Sequence, residues 1–221
     1  PRPDTPPLQC LRILCRRPLR AILDGTKTQT RRIVKPQPHH TAMLWHHGSS
    51  NGAAPFTFAG KGIEAVEYRC PYGQPGDHLW VSETFADLTK THGRQWERFN
   101  QSTKLYERGV NPFVWYRADG EQPDIGNGIP LSEPWCQSIH MPRWASRITL
   151  EVTGVRVERL QDISEQDALA EGIQEWIDGG EDHDGYPRDA FGSLWESING
   201  AGSWNSNPWV WVIEFKQVSE S

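Results

Sequence analysis

The chain has 221 residues, a length that suits one decorated domain or two small ones, and we expect one. With 36% hydrophobic and 23% charged residues, its composition is typical of a soluble globular protein. Its formal net charge of −5 argues against a protein that coats nucleic acid indiscriminately. Because no apolar run approaches the roughly 18 residues needed to cross a bilayer, and residues 1–10 (PRPDTPPLQC) lack the apolar segment of a secretory signal, we expect a cytoplasmic protein without a membrane partner.

The first predicted element is a short helix in residues 17–25, RPLRAILDG. Pro18 suits the first helical position, and the apolar residues at 19, 22 and 23 form one stripe along the helix. Gly25 is placed to end the helix, immediately before a segment of very different composition.

That segment, GTKTQTRR (residues 25–32), combines three threonines and a glutamine with three cations, more polar groups than a packed core requires. Its β-branched residues alternate and run into Ile33 and Val34, which predicts a loop leading into a strand. Residues 12–35 hold eight cations and one acid, whereas the remainder holds 15 cations and 27 acids. This basic patch favours a local phosphate-bearing ligand over a long duplex, and a solvated helix face is the alternative.

The middle of the chain is harder to assign. Residues 36–76 are rich in Pro, Gly, Ser and His without sustained periodicity, which predicts a long loop or insertion. In GDHLWVSETF (residues 76–85), Leu79 and Val81 alternate with His78 and Trp80 as in a half-buried strand. Between 87 and 145 the best strand candidate is FVWYRA (residues 113–118), so we expect two insertions, at about 36–75 and 87–145.

Regular patterns return in the last third of the chain. SRITLEVTGVRVERL (residues 146–160) alternates as a strand does, and DISEQDALAEGI (residues 162–173) predicts a helix with Ser164 and Asp167 spaced as a capping box and Gly172 as its stop. AFGSLWESI (residues 190–198) has apolar residues at helical spacing, and NPWVWVIEFKQV (residues 207–218) predicts a closing strand. Strands dominate and helices are short, so the fold class is mixed α/β (α+β), a small β-barrel with flanking helices.

Signatures of cofactors and metals are missing from the sequence. It contains no GxxxxGK[ST] loop, GxGxxG turn, HExxH helix or GxSxG elbow. The four cysteines form no CxxC pair, and the histidine pairs 39–40 and 46–47 match no ligand spacing. We therefore expect reduced thiols, no metal and no cofactor.

The order of these motifs resembles the ASCH domain family, relatives of the RNA-binding PUA fold. The segments that carry the resemblance cover about half of the chain, roughly 10–35, 74–85, 146–174 and 190–218. CPYGQPGDHLWVSETF (residues 70–85) and MPRWASRITLEVTGVRVERL (residues 141–160) are similar to ASCH-like proteins encoded by bacteriophages and prophages. The resemblance implies one domain over 1–221, a PUA-like pseudo-β-barrel with GTKTQTRR lining its cleft and the two insertions outside the shared part.

Small bacterial members of this family are amidohydrolases of N(4)-acetylcytidine, with a GxKTxTxR motif and a glutamate on a later helix. The resemblance places the catalytic lysine, threonine and glutamate at Lys27, Thr30 and Glu171, and the closing arginine of the motif at Arg32. This sequence departs from the pattern in having Thr26 before the lysine, Gln29 between the threonines, and insertions large enough to reshape the pocket. These departures leave the substrate open.

The residue types suit hydrolysis of an acyl amide, which needs a nucleophile, a base and positive charge near the developing oxyanion. Lys27 can activate the Thr30 hydroxyl if burial and its arginine neighbours lower its pKa, with Glu171 carrying the proton. Positions three apart on a strand face opposite sides, so Lys27 and Thr30 converge only if the motif bends.

A pocket that binds without turnover is the alternative. Ligand-binding roles are assigned to Thr28, Gln29, Arg31, Arg32, Trp80 and Glu83. The partner in either case is a nucleoside, or single-stranded RNA or another modified nucleic acid. A ribonuclease is the weaker third hypothesis, and the sequence leaves the oligomeric state open.

Overall fold

The computed structural model describes residues 9–12, 16–40, 42–47, 55–87, 114–121, 134–178 and 186–218. The strands in these ranges are β1 (Gln9–Arg12), β2 (Gln29–Ile33), β3 (Met43–His47), β4 (Phe56–Gly60), β5 (Ile63–Tyr68), β6 (His78–Ser82), β7 (Phe85–Asp87), β8 (Val114–Tyr116), β9 (Thr149–Arg159) and β10 (Trp209–Gln217). The α-helices are α1 (Arg16–Leu23), α2 (Glu165–Ala170), α3 (Gln174–Asp178) and α4 (Pro187–Asn199), with 3-10 turns at Arg117–Asp119, Ser138–His140, Arg143–Ala145 and Leu160–Asp162.

The main sheet has five strands in the order β1-β6-β9-β10-β2. β1 is parallel to β6, and the other pairs in this sheet are antiparallel. Two smaller antiparallel sheets are formed by β3-β4-β5 and by β7-β8. The predicted mixed α/β class is therefore confirmed as mostly antiparallel sheet with few helices.

β10 is buried on both faces, which explains its nearly continuous apolar sequence WVWVI. On one face Trp211, Ile213 and Phe215 pack with core residues of β6 and β9. On the other face Val210 and Val212 pack against residues of α2 and α4. The sheet thus separates two hydrophobic clusters, and a side chain on β2 belongs to one cluster or the other according to its position.

The prediction of a loop over residues 36–76 is wrong in part, because this stretch contains the sheet β3-β4-β5. The ring of Phe56 packs edge-on against Trp211 at 5.3 Å, and that of Phe58 against Trp209 at 4.9 Å. The alternating pattern in FTFAG is only one strand long and lies among turn-forming residues, so local periodicity did not reveal it. Contact with β10 fixes these strands instead.

The other predicted elements are present. α1 begins at Arg16, two residues before the proline predicted to start it, and the strands predicted in GDHLWVSETF, FVWYRA and SRITLEVTGVRVERL are β6, β8 and β9. The Ser164 hydroxyl accepts a hydrogen bond from the Asp167 amide (3.0 Å), which confirms the predicted N-cap of α2. None of the helices in the described ranges is both long and apolar enough to cross a membrane.

Candidate active site

Lys27 lies in the short connection between α1 and β2, and backbone hydrogen bonds hold this connection against three elements. The Lys27 amide donates to the Ala21 carbonyl of α1 (2.9 Å). The Thr28 amide donates to the Ala170 carbonyl at the end of α2 (2.9 Å), and the Thr28 carbonyl accepts from the Phe215 amide of β10 (2.8 Å). The chain therefore bends before β2, and this bend directs Lys27 toward the end of α2.

Lys27 and Glu171 form a buried ion pair between segments 144 residues apart in sequence. Lys27 Nζ lies 2.7 Å from Glu171 Oε2 and 2.7 Å from the Glu171 carbonyl oxygen. Both residues are buried, with exposed fractions of 7% and 4%. The resemblance placed a lysine and a glutamate together at these positions, and the structure brings these two side chains into contact.

The close approach depends on Gly172, which has a φ of 77°. A Cβ atom at this position would lie 2.6 Å from the Ala21 Cβ and 2.9 Å from the Lys27 Cβ. Both distances are shorter than an ordinary carbon contact of about 3.5–4.0 Å. The absence of a side chain therefore lets α1, Lys27 and the end of α2 meet.

The pKa of Lys27 is lowered from its ordinary value of 10.5. The main cause is desolvation by burial, which disfavours the charged ammonium, and the positive charges of Arg32 and Arg31 act in the same direction. The Glu171 carboxylate opposes the shift, but it is shared with Arg31 and so compensates Lys27 only in part. A lysine with a lowered pKa can accept a proton more readily near neutral pH.

Arg31 is the centre of an ionic cluster that extends from this pair. Its side chain is fully buried, with Nη1 3.1 Å from Glu171 Oε1, Nε and Nη2 3.0 and 2.6 Å from Glu158 Oε1, and Nη2 3.3 Å from Asp167 Oδ2. Arg31 also lies over the Phe191 ring of α4, at 5.8 Å from its centroid. The guanidinium is thus occupied by protein carboxylates.

Asp167 and Arg156 complete the cluster. Gln29 Nε2 donates to the Asp167 carbonyl (2.7 Å) and to Oδ1 (3.1 Å), while Arg156 pairs with Asp167, Glu158 and Glu214. Burial acts to raise the pKa of Asp167, but the bond from Gln29 and the charges of Arg156 and Arg31 outweigh it and lower the pKa from 3.8. The cluster contains three cations and four carboxylates, which are, in chain order, Lys27, Arg31, Arg156, Glu158, Asp167, Glu171 and Glu214.

Thr30 and Arg32 lie on the opposite face of β2 from Arg31. Thr30 is paired with Ile213 and Arg32 with Trp211, which lie on the face of β10 that packs with β6 and β9. Arg31 is paired with Val212, which lies on the face that packs against α2 and α4. Thr30 is buried, at 6% exposure, and within the described ranges its hydroxyl makes no hydrogen bond to Lys27 or Glu171. The charge of Arg32 nevertheless acts on Lys27 and helps to lower the pKa of its amine.

The other predicted ligand-binding residues lie outside this cluster. Thr28 has an exposed side chain, and Trp80 packs half-buried against Phe85, Tyr116 and their neighbours. Glu83 is buried in a second ionic cluster, where both of its oxygens lie 3.0 Å from Arg147. Desolvation raises the pKa of Glu83, and Arg147 opposes the rise.

Arg147 ties this second cluster together. It also pairs with Asp119 at 2.8 and 2.9 Å and lies over the Tyr116 ring, 3.9 Å from its centroid. Glu83 is therefore engaged by protein groups, and its predicted contact with a ligand stays a prediction.

Sequence reasoning missed four residues of the first cluster. Arg156 and Glu158 alternate with valines on β9 and look like the solvated face of a strand, and Glu214 interrupts the apolar pattern of β10. Asp167 was interpreted only as part of a helix cap. Its position four residues before Glu171 was a usable signal, because residues at i and i+4 lie on the same face of a helix.

The cations of GTKTQTRR do not all form the exposed basic surface that their density suggested. Lys27 and Arg31 are buried and paired with acids, so a phosphate group would have to displace protein carboxylates to reach them. Within the described ranges no group of three His, Cys, Asp or Glu side chains is arranged to hold a metal ion. Comparison with protein-family models, with curated proteins and with solved structures finds no match.

Proposed function

We propose that this protein is an ASCH-type amidohydrolase that removes the acyl group from the exocyclic nitrogen of an N(4)-acylated cytidine or a related modified nucleoside. The five-stranded sheet is, in this proposal, the frame of a PUA-like pseudo-β-barrel. The observation that carries the proposal is the buried Lys27–Glu171 pair, with Nζ and Oε2 2.7 Å apart. The motif order that resembles the ASCH family adds the reaction class.

The pair has the properties that general acid–base catalysis requires. Lys27 has a lowered pKa, so at a given pH a larger fraction of its amine is neutral, and able to accept a proton, than in an ordinary lysine. Glu171 lies within one hydrogen bond of Lys27 and can take the same proton onward. The competing explanation is that the Lys27–Glu171 pair only stabilises the fold. An assay for deacylation distinguishes this structural role from a catalytic one.

The proposed reaction begins at Thr30, whose hydroxyl is not bonded to Lys27 in this structure, so the first step requires the two side chains to come together when the substrate binds. The Thr30 hydroxyl oxygen attacks the amide carbon while Lys27 removes the hydroxyl proton, and the positive charge of Arg32, on the same face of β2, stabilises the developing oxyanion. The proton passes through Glu171 to the departing cytosine nitrogen as the carbon–nitrogen bond breaks. Water then hydrolyses the threonine ester, with Lys27 again as base, and releases the acid.

The charges around the site favour a neutral nucleoside over a phosphate-bearing ligand. Four carboxylates pair with Lys27, Arg31 and Arg156, so the charges of these three cations are already compensated inside the protein. A phosphate near this cluster meets repulsion that a nucleoside does not. This reverses the preference that the cation-rich segment 12–35 suggested.

The test is to incubate the purified protein with N(4)-acetylcytidine, with its 5′-monophosphate and with single-stranded RNA, and to separate the products by chromatography. We expect cytidine from the nucleoside, slower conversion of the monophosphate, and loss of activity in Lys27→Ala and Glu171→Ala. Lys216→Ala is the matched control, because Lys216 is an exposed lysine of β10 that pairs with Glu151 of β9 and takes no part in the ionic cluster around Arg31. Activity in the control should equal that of the wild type.

Two results would contradict the proposal. Folded wild-type protein that leaves every acylated cytidine intact excludes the amidohydrolase. Salt-sensitive retention of RNA without any product favours the binding module instead, since phosphate contacts weaken as salt rises.

A further inference from the structure

Glu171 divides its two carboxylate oxygens between two cations. Oε2 accepts from Lys27 Nζ at 2.7 Å, and Oε1 accepts from Arg31 Nη1 at 3.1 Å. Both cations are buried, and the Arg31 side chain has no exposed surface. The geometry therefore limits how much of the carboxylate's charge is available to Lys27.

Arg31 cannot move away from this position without losing several bonds. Its Nε and Nη2 are held by Glu158 Oε1 from β9, and Nη2 also lies 3.3 Å from Asp167 Oδ2 on α2. Asp167 is itself held by Gln29 and by the N-cap of its helix. Arg31 is thus held by carboxylates of two elements, β9 and α2, next to the carboxylate that Lys27 uses.

We infer that Arg31 is a positioning residue that keeps Lys27 available as a base, acting through the Glu171 carboxylate that the two cations share. The expected effect of Arg31 on catalysis rests on the proposed function. The expected effect of Arg31 on the protonation of Lys27 does not. Arg31 lies outside the lysine, threonine, glutamate and closing-arginine positions that the family resemblance assigned.

The groups that face Lys27 act together in this arrangement. Glu171 attracts the ammonium, whereas Arg31 and Arg32 of β2 repel it, and the contact from α1 is the Ala21 carbonyl, which accepts a hydrogen bond from the Lys27 amide. Glu158 and Asp167 pair with Arg31 rather than with Lys27. Arg156 pairs with these two acids and with Glu214, so all four groups act on Lys27 only indirectly. Removing Arg31 takes away a like charge and leaves both oxygens of Glu171 to Lys27, so both changes favour the ammonium.

The direct test is a titration of the Lys27 side chain by NMR in full-length protein labelled with 13C-lysine, with the signal assigned through a Lys27→Arg variant. In Arg31→Met the midpoint should rise by about one pH unit or more, as expected when a nearby like charge is lost. Arg156→Gln is the control, because Arg156 pairs with Glu158, Asp167 and Glu214 but not with Glu171. Its Lys27 midpoint should stay near that of the wild type.

A second variant covers a failure of Arg31→Met to fold. Arg31→Met/Glu158→Gln removes one cation and one acid, so the net charge of the cluster is unchanged. The Glu171 carboxylate still loses its bond to Arg31 and is left to Lys27 alone. The midpoint should rise here as well. An unchanged Lys27 midpoint in a folded variant of either kind, or an equal rise in Arg156→Gln, overturns the inference.

Activity gives a separate readout. The ascending limb of kcat/KM against pH for N(4)-acetylcytidine should move upward with the Lys27 midpoint, so a shift of about one unit lowers kcat/KM about tenfold at pH values below both midpoints. A midpoint that rises while kcat/KM keeps its wild-type pH profile also overturns the positioning role. If the wild-type protein hydrolyses no acylated cytidine, the proposed function fails, and the NMR midpoints alone decide whether Arg31 controls Lys27.

Discussion

Replacing Gly172 by alanine tests the close packing on which the site depends. Alanine at a φ of 77° costs about 1–2 kcal/mol, because the left-handed region is strained for residues with a Cβ. The new Cβ would also lie 2.6 Å from the Ala21 Cβ and 2.9 Å from the Lys27 Cβ, an overpacking that typically costs about 1–3 kcal/mol. We expect Gly172→Ala to lower the free energy of unfolding by about 2–5 kcal/mol.

Gly62→Ala is the matched control for this experiment. Gly62 has nearly the same φ, 75°, but a Cβ there would meet no atom within 4 Å. Urea denaturation at constant m-value should therefore show a loss of only about 1–2 kcal/mol in the control. If Gly172→Ala is no more destabilising than Gly62→Ala, the contact between α1, Lys27 and the end of α2 is not as tight as described.

Three further predictions concern charged groups. Arg147→Met should destabilise the protein by about 3–5 kcal/mol in urea denaturation, because it leaves the buried Glu83 carboxylate without its cation. Lys216→Met, at an exposed ion pair, should cost less than about 1 kcal/mol. Similar losses in the two variants would contradict the prediction that the buried pair matters more. Burial lowers the pKa of Lys27, so the unfolded chain keeps this proton to a higher pH than the folded protein does. The free energy of unfolding of the wild type, relative to that of Lys27→Met, should therefore rise with pH between the lowered pKa and 10.5. A difference between the two proteins that stays constant over this range would argue against the lowered pKa. The pKa of Asp167 is lowered from 3.8 in the folded protein. The stability that Asp167→Asn removes should therefore be present above pH 3.8 and disappear as the pH falls through the folded-state pKa of Asp167, which acid titrations of both proteins monitored by circular dichroism would measure.

Most strands and helices could be predicted where a regular pattern runs long enough. The nine residues of β10 and the eleven of β9 alternate or stay apolar over their whole length, and Ser164 marks the start of α2 by its capping chemistry. The sheet β3-β4-β5 was missed because its strands have only five or six residues and depend on Phe56 and Phe58 packing against β10. Such stability comes from contacts distant in sequence, which local periodicity does not contain.

The candidate site was predictable in its Lys27–Glu171 pair but not in the ionic cluster around that pair. Lys27 and Glu171 were named from the family resemblance, and they meet in the structure. The sequence nevertheless suggested an exposed basic patch, because counting charges along a segment ignores acids supplied from elsewhere. Glu158 and Asp167 come from residues more than 120 positions away and neutralise Arg31 inside the fold. Only the side-chain contacts among β2, β9 and α2 in the folded protein reveal that Arg31 is neutralised.

The measurement that tests the central claim most directly is the rate of deacylation of N(4)-acetylcytidine by wild type and by Lys27→Arg. Arginine keeps a positive charge that can pair with Glu171, but it does not give up its proton in the accessible pH range and so cannot act as a base. We predict a rate about 10²–10⁴-fold lower in the variant, at unchanged binding of the nucleoside. A variant that deacylates the nucleoside as fast as the wild type would show that Lys27 contributes charge alone, and the account of this site as an acid–base pair would be wrong.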